Sequence, residues 1–97
     1  MLHMVVNTHT PEDCAFRGEA EEKLLSGAFE TFADNGKAEG VEIRGSWVNR
    51  AAHEVFVLVE APNAHAIELA MLQAGLVGRT HSRVLPVVDT DDAMESD

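Results

Sequence analysis

His53-Glu54-Val55-Phe56-Val57-Leu58-Val59-Glu60-Ala61-Pro62-Asn63 is the stretch on which the fold turns. His53 to Ala61 reads as a strand, and its middle, Val55 to Val59, is apolar at every position. Successive strand side chains point to opposite faces, so an unbroken apolar run needs cover on both sides of its sheet. Pro62 ends the strand. Asn63 then caps a helix expected from Ala64 to about Leu76, with Ile67, Ala70, Met71 and Ala74 on its inner face and Gly78 as its stop.

Upstream of this stretch, Asn49-Arg50-Ala51-Ala52 fits a hairpin loop, and Val41 to Val48 is a strand with Val41, Ile43, Gly45 and Trp47 on one side. Before it, Leu24, Leu25, Ala28, Phe29 and Phe32 recur at helical spacing, which predicts a helix from about Glu19 to Asp34, stopped by Asn35-Gly36. Leu2 to Thr8 alternates and is rich in apolar residues, so it reads as the first strand. Thr10, Pro11 and Asp13 make an N-cap, first-turn proline and capping-box pattern that starts a further helical turn. Downstream, Ser82 to Val88 is a fourth strand, and Asp89 to Asp97 is an acidic tail without a periodic apolar pattern, expected to be disordered.

The order strand, helix, strand, strand, helix, strand is the split βαβ pattern of the ferredoxin-like α+β fold. It implies a four-stranded antiparallel sheet in the order 4-1-3-2 with two helices on one face, spanning residues 1–88. The other face, carrying Val5, Phe56 and Leu58 or their alternates, is too apolar to stay in water. A second copy of the same sheet is the simplest cover, which predicts a homodimer of the dimeric α/β-barrel type.

Seventeen acids against seven bases give a net charge of −10 over 97 residues, which disfavours nucleic acid and anionic membranes as partners. No apolar run approaches the ~20 residues that cross a bilayer. With no signal-peptide pattern and a single cysteine, the expected location is the cytoplasm and an internal disulfide is excluded.

The expected topology sorts the histidines. His9 at the end of strand 1, His53 at the start of strand 3 and His81 at the start of strand 4 meet at one edge of the sheet, with Cys14 just beyond His9. Imidazoles with a thiolate suit zinc, nickel, copper or ferrous iron. His3 and His65 belong at the other end. Each of these residues also has an ordinary reading: a strand-end histidine bonded to its loop, a hairpin residue, a solvated residue before a strand, or a small apolar filler for Cys14. Trp47 is a candidate wall of a ligand pocket at the same edge. Glu60, ending an apolar run, is a candidate general base if burial raises its pKa, as is His53; the plainer reading of Glu60 is a carboxylate emerging into solvent.

The segments His9-Thr10-Pro11-Glu12-Asp13-Cys14, Gly45-Ser46-Trp47, His53 with Val57-Leu58-Val59-Glu60-Ala61, and Arg83-Val84-Leu85-Pro86-Val87 carry a resemblance that spans nearly all of the chain except the tail. The chain resembles small, largely uncharacterised bacterial and archaeal proteins of the ferredoxin-like, dimeric α/β-barrel type. The resemblance implies a single domain and weight for His9, Cys14 and His53; some similar proteins bind nickel or other transition metals, and others in the wider class are cofactor-free monooxygenases or isomerases. This chain departs from some of them in a longer, more acidic first helix and in having no cysteine after Trp47.

Three functions follow as expectations. The first is a small homodimeric metal-binding protein, for zinc or nickel, with His9, Cys14 and His53 as ligands and His81 as the candidate fourth, which would close the site. The second is a cofactor-free barrel enzyme on a small organic substrate, with His53 or Glu60 as base and Trp47 lining the cavity. The third is a ligand-binding regulatory module without chemistry.

Overall fold

The structure, a computed structural model, describes residues 1–10, 19–74 and 80–95. Its elements are β1 (Leu2–Thr8), α1 (Glu19–Ala38), β2 (Glu42–Asn49), β3 (Glu54–Glu60), α2 (Ala64–Gln73), β4 (His81–Pro86) and α3 (Thr90–Glu95). The strands form one sheet in the order β2-β3-β1-β4, which is the expected 4-1-3-2 read from the opposite edge. Every neighbouring pair is antiparallel. The apolar β3 sits inside the sheet, as its composition demands.

Alternation divides the sheet cleanly. Val5, Val57 and Val59 join Phe32 of α1 and Ile67, Ala70 and Met71 of α2 in one core, with Val41 and Ala61 closing its end. Ile43, Val55 and Val84 pack at its margin. The opposite face is also apolar. Met4 lies between Leu58 and Leu85, and Val6 lies between Phe56 and Arg83. Val6 is buried although no helix covers it, because these long neighbours flank it on both sides.

The start of the first helical turn, expected at Thr10, Pro11 and Asp13, lies mostly outside the described residues, as does Cys14. The helix expected to stop at Asn35-Gly36 runs on to Ala38. Its real stop is Gly40, whose φ of 79° is the left-handed geometry that glycine adopts without steric cost. Val41 N–H reaches the Gly36 carbonyl at 2.7 Å and Gly40 N–H the Lys37 carbonyl at 3.3 Å, which together make a Schellman cap. Gly36 serves inside the helix instead: a β-carbon there would stand 3.1 Å from Val41 Cβ, so the core residue Val41 packs where that carbon would be.

Strand β2 also departs from expectation. Ile43 pairs with Val59 but Gly45 pairs with Leu58, so one extra residue is inserted between them. Such a bulge reverses the facing of everything after it. Val41 and Ile43 therefore face the helices, while Gly45 and Trp47 share the open face with Leu58 and Phe56. The four do not lie on one side as simple alternation predicts.

Helix α2 starts as expected, with Asn63 Oδ1 accepting from Ala66 N–H at 2.9 Å, and its described part ends at Gln73 with Ala74 as cap. The acidic tail carries α3, six residues long with none buried. None of the described helices is long and apolar enough to cross a membrane.

Candidate functional site

The site grows out of the β1–β3 ladder. Thr8 is paired with Glu54, so the next step of the antiparallel register sets His9 opposite His53. His9 N–H donates to the His53 carbonyl at 3.2 Å, extending the ladder one residue past both strands. The two imidazoles meet edge to face, with ring centroids 5.6 Å apart and planes at 72°.

The hairpin that carries His53 is built locally. Asn49 Oδ1 accepts from Ala52 N–H at 3.2 Å, and His53 N–H donates to the Arg50 carbonyl at 3.3 Å. This four-residue loop closes with His53 at φ 54°, the sole non-glycine residue with positive φ among those described. That conformation costs a side-chain-bearing residue on the order of 1 kcal/mol or more, and glycine or asparagine usually occupies it. The Nδ1 atom of His53 is buried and meets no hydrogen-bond partner among the described residues. Buried polar atoms are nearly always satisfied, so this one is open to a ligand or to a group beyond the described residues.

The spacing of the rings suits a shared ion. A metal–nitrogen bond is about 2.0–2.1 Å, which puts each ring centroid about 3.2 Å from a common metal. Two such rings at a roughly tetrahedral angle have centroids about 5–6 Å apart. The observed centroid separation of 5.6 Å falls in that range.

Other expected site residues have different placements. His81 is the register partner of Thr8 and its carbonyl accepts from Thr8 Oγ1 at 3.2 Å, but its side chain is exposed. Among the described residues no three His, Cys, Asp or Glu side chains stand together so as to hold a metal. Cys14, the expected third ligand, is outside that set. His3 is buried at the other end of β1, with Nδ1 3.2 Å from the Met1 carbonyl oxygen, and His65 is exposed on α2, so neither belongs to this edge.

Trp47 lies on the open sheet face, more than half exposed, opposite Phe56. Its ring lies over Gly45 so closely that a β-carbon there would be 2.7 Å from Cη2. Glu60 pairs with the amino group of Met1 and is partly exposed. The hydrogen bond from that ammonium holds its carboxyl below the usual carboxylate range, against a weaker upward push from desolvation, and Arg44 adds to the lowering. This is the opposite direction from the one a general base requires.

One polar cluster has no counterpart among the expected site residues. Asn7 Nδ2 donates to Thr80 Oγ1 at 2.7 Å and to Ser82 Oγ at 2.8 Å, joining β1 to the start of β4. The available signal was an asparagine inside an apolar strand, where it is normally depleted.

The antiparallel βαββαβ sheet with helices on one face defines a ferredoxin-like α+β protein. The chain belongs to the family described as a domain of unknown function, DUF3303, whose model matches residues 1–96. No curated protein matches it. Among solved structures it is similar to SCO4226 from Streptomyces coelicolor A3(2), with a TM-score of 0.56 and 16% identity over 90% of this chain and 99% of that one. At that identity the likeness is one of fold alone.

Proposed function

We propose that the chain is a small transition-metal-binding protein that holds zinc or nickel between His9 and His53, with Cys14 as the third ligand. The observation that carries this reading is the imidazole pair itself: two rings with centroids 5.6 Å apart, one offering a buried nitrogen with no hydrogen-bond partner among the described residues, on a backbone conformation that few side-chain-bearing residues adopt. Strained geometry of that sort persists where the surroundings hold it, and it concentrates at functional sites. Cys14 enters from the sequence, five residues beyond His9. With an open fourth position the ion would serve sensing, storage or simple Lewis-acid chemistry; with His81 added the site would be closed and structural.

The same reading includes a homodimer in the cytoplasm. The open sheet face offers Met4, Phe56, Leu58, Trp47 and Leu85, and a second copy would bury them. The rival enzyme reading with Glu60 as base draws no support from a carboxylate that is partly exposed and ion-paired.

Elemental analysis of protein purified without a histidine tag tests the proposal. The expected result is about one zinc or nickel ion per chain in the wild type and a large loss in His9→Ala and Cys14→Ser. Metal-free wild-type protein that takes up neither ion on addition would overturn it, and so would full loading of His9→Ala.

A further inference from the structure

We infer that the groove between α2 and the start of β4 is a binding site for a small organic amine. It touches His81 but neither His9 nor His53, and its argument uses none of the three as a metal ligand.

The groove follows from the helix period. Ala66, Ile67, Ala70 and Met71 are the buried residues of α2, with Met71 at the edge of that stripe. Ala64, Glu68 and Met71, at spacings of four and three, form the next stripe and face β4 across the groove. Alanine at position 64 is too short to span the gap. The groove is open on one side and has a volume of about 310 Å³, at the lower end of the range of small-molecule sites, about 300 to 1,000 Å³.

Its walls differ in character. Met71 and Val84 supply an apolar floor. Thr80 and Ser82 present hydroxyls, each fixed in place by a hydrogen bond from Asn7 Nδ2. Glu68, on the exposed side of α2, supplies a carboxylate at the mouth. No lysine or arginine lines the groove among the described residues. A few convergent polar groups over an apolar floor are the usual make-up of a ligand site. Among the described lining residues Glu68 carries the one negative charge, and a carboxylate with hydroxyl acceptors beside it selects a donor-rich cationic head on an apolar body, which describes an alkylammonium ion. The net charge of −10 adds a field that concentrates cations and repels the corresponding acids.

The test is a titration of the full chain, followed by amide ¹H–¹⁵N spectra, with isobutylamine, isobutyrate and isobutanol as probes of one shape and three charges. Isobutylamine is expected to give saturable shifts centred on Glu68, Ser82 and Val84, with the millimolar affinity suited to so small a ligand. Isobutanol should bind more weakly and isobutyrate not at all. Glu68→Gln, an exposed helix position that leaves the fold intact, should weaken the amine about five- to tenfold by removing a charge-assisted hydrogen bond. Ala64→Leu, which fills the groove, should abolish the shifts. Equal or tighter binding of isobutyrate, an unchanged amine affinity in Glu68→Gln, or no saturable shift with any probe would overturn the inference.

Discussion

His9 donates its main-chain N–H to the carbonyl of His53, and the imidazoles of the same two residues meet edge to face at 5.6 Å. One hydrogen bond beyond the ends of two strands thus fixes the spacing of two side chains that lie 44 positions apart in the sequence. The ladder supplies the rigidity, and the loop supplies an unusual backbone angle at His53.

The angle at His53 separates fold from function. Asparagine tolerates positive φ about as well as any residue except glycine. His53→Asn is therefore expected to keep the fold, with stability within about 1 kcal/mol of wild type by urea unfolding. Its zinc affinity should fall by more than about tenfold, since even the partners that orient ligands are worth that much. A variant that unfolds readily yet binds metal normally would show that His53 serves the loop and nothing else.

Gly45 and Trp47 make a second separable pair. Alanine at 45 would bring a β-carbon to 2.7 Å from the indole, but the clash is with the far end of a side chain that can turn. Gly45→Ala should cost no more than about 1.5 kcal/mol, the range of a displaced rotamer. It should nonetheless shift the tryptophan fluorescence and near-ultraviolet dichroism, because Trp47 is the one tryptophan in the chain. An unchanged indole signal would mean the ring does not rest on Gly45 in solution.

How much of this was legible from the sequence depended on the kind of signal. The sheet order was legible because Val55 to Val59 admits no place but the inside of a sheet, and the element order then leaves one topology. The meeting of His9 and His53 followed from that topology. The reversal of Trp47 was not legible: a bulge is one unpaired residue, and alternation counted through Arg44 gives the wrong face for everything after it. The end of α1 was misread because Asn35-Gly36 has the composition of a stop, whereas Gly36 is there to admit Val41 and Gly40 does the stopping. The strain at His53 left no mark either, since its loop, Arg50-Ala51-Ala52-His53, contains no glycine to announce a left-handed residue.

The open sheet face gives a prediction about assembly. Trp47, Leu85 and their neighbours Phe56 and Leu58 form the surface that a second copy would cover. Light scattering on the wild type should give twice the chain mass, and Trp47→Glu should give the monomer with an unchanged far-ultraviolet spectrum. A monomeric wild type at tens of micromolar would remove the dimer from the account.

Glu60 predicts a pH effect of known sign. Its folded pKa lies below the ordinary value of 4.5, so folding favours the ionised form. The contribution is fully present above the ordinary value and is lost as pH falls through the lowered one. Glu60→Gln should therefore be less stable than wild type near neutrality, and the gap in melting temperature should close as the solution is acidified through the lowered pKa of Glu60. A gap that persists in acid would place the effect in packing and not in the ammonium–carboxylate pair.

The most direct measurement is the set of histidine ring ¹H–¹⁵N resonances while zinc is added to one equivalent. The account predicts that His9 and His53 change together and saturate at one ion per chain, while the buried His3 and the exposed His65 stay where they are. Rings of His9 and His53 that remain unmoved at one equivalent, or changes confined to other histidines, would contradict it.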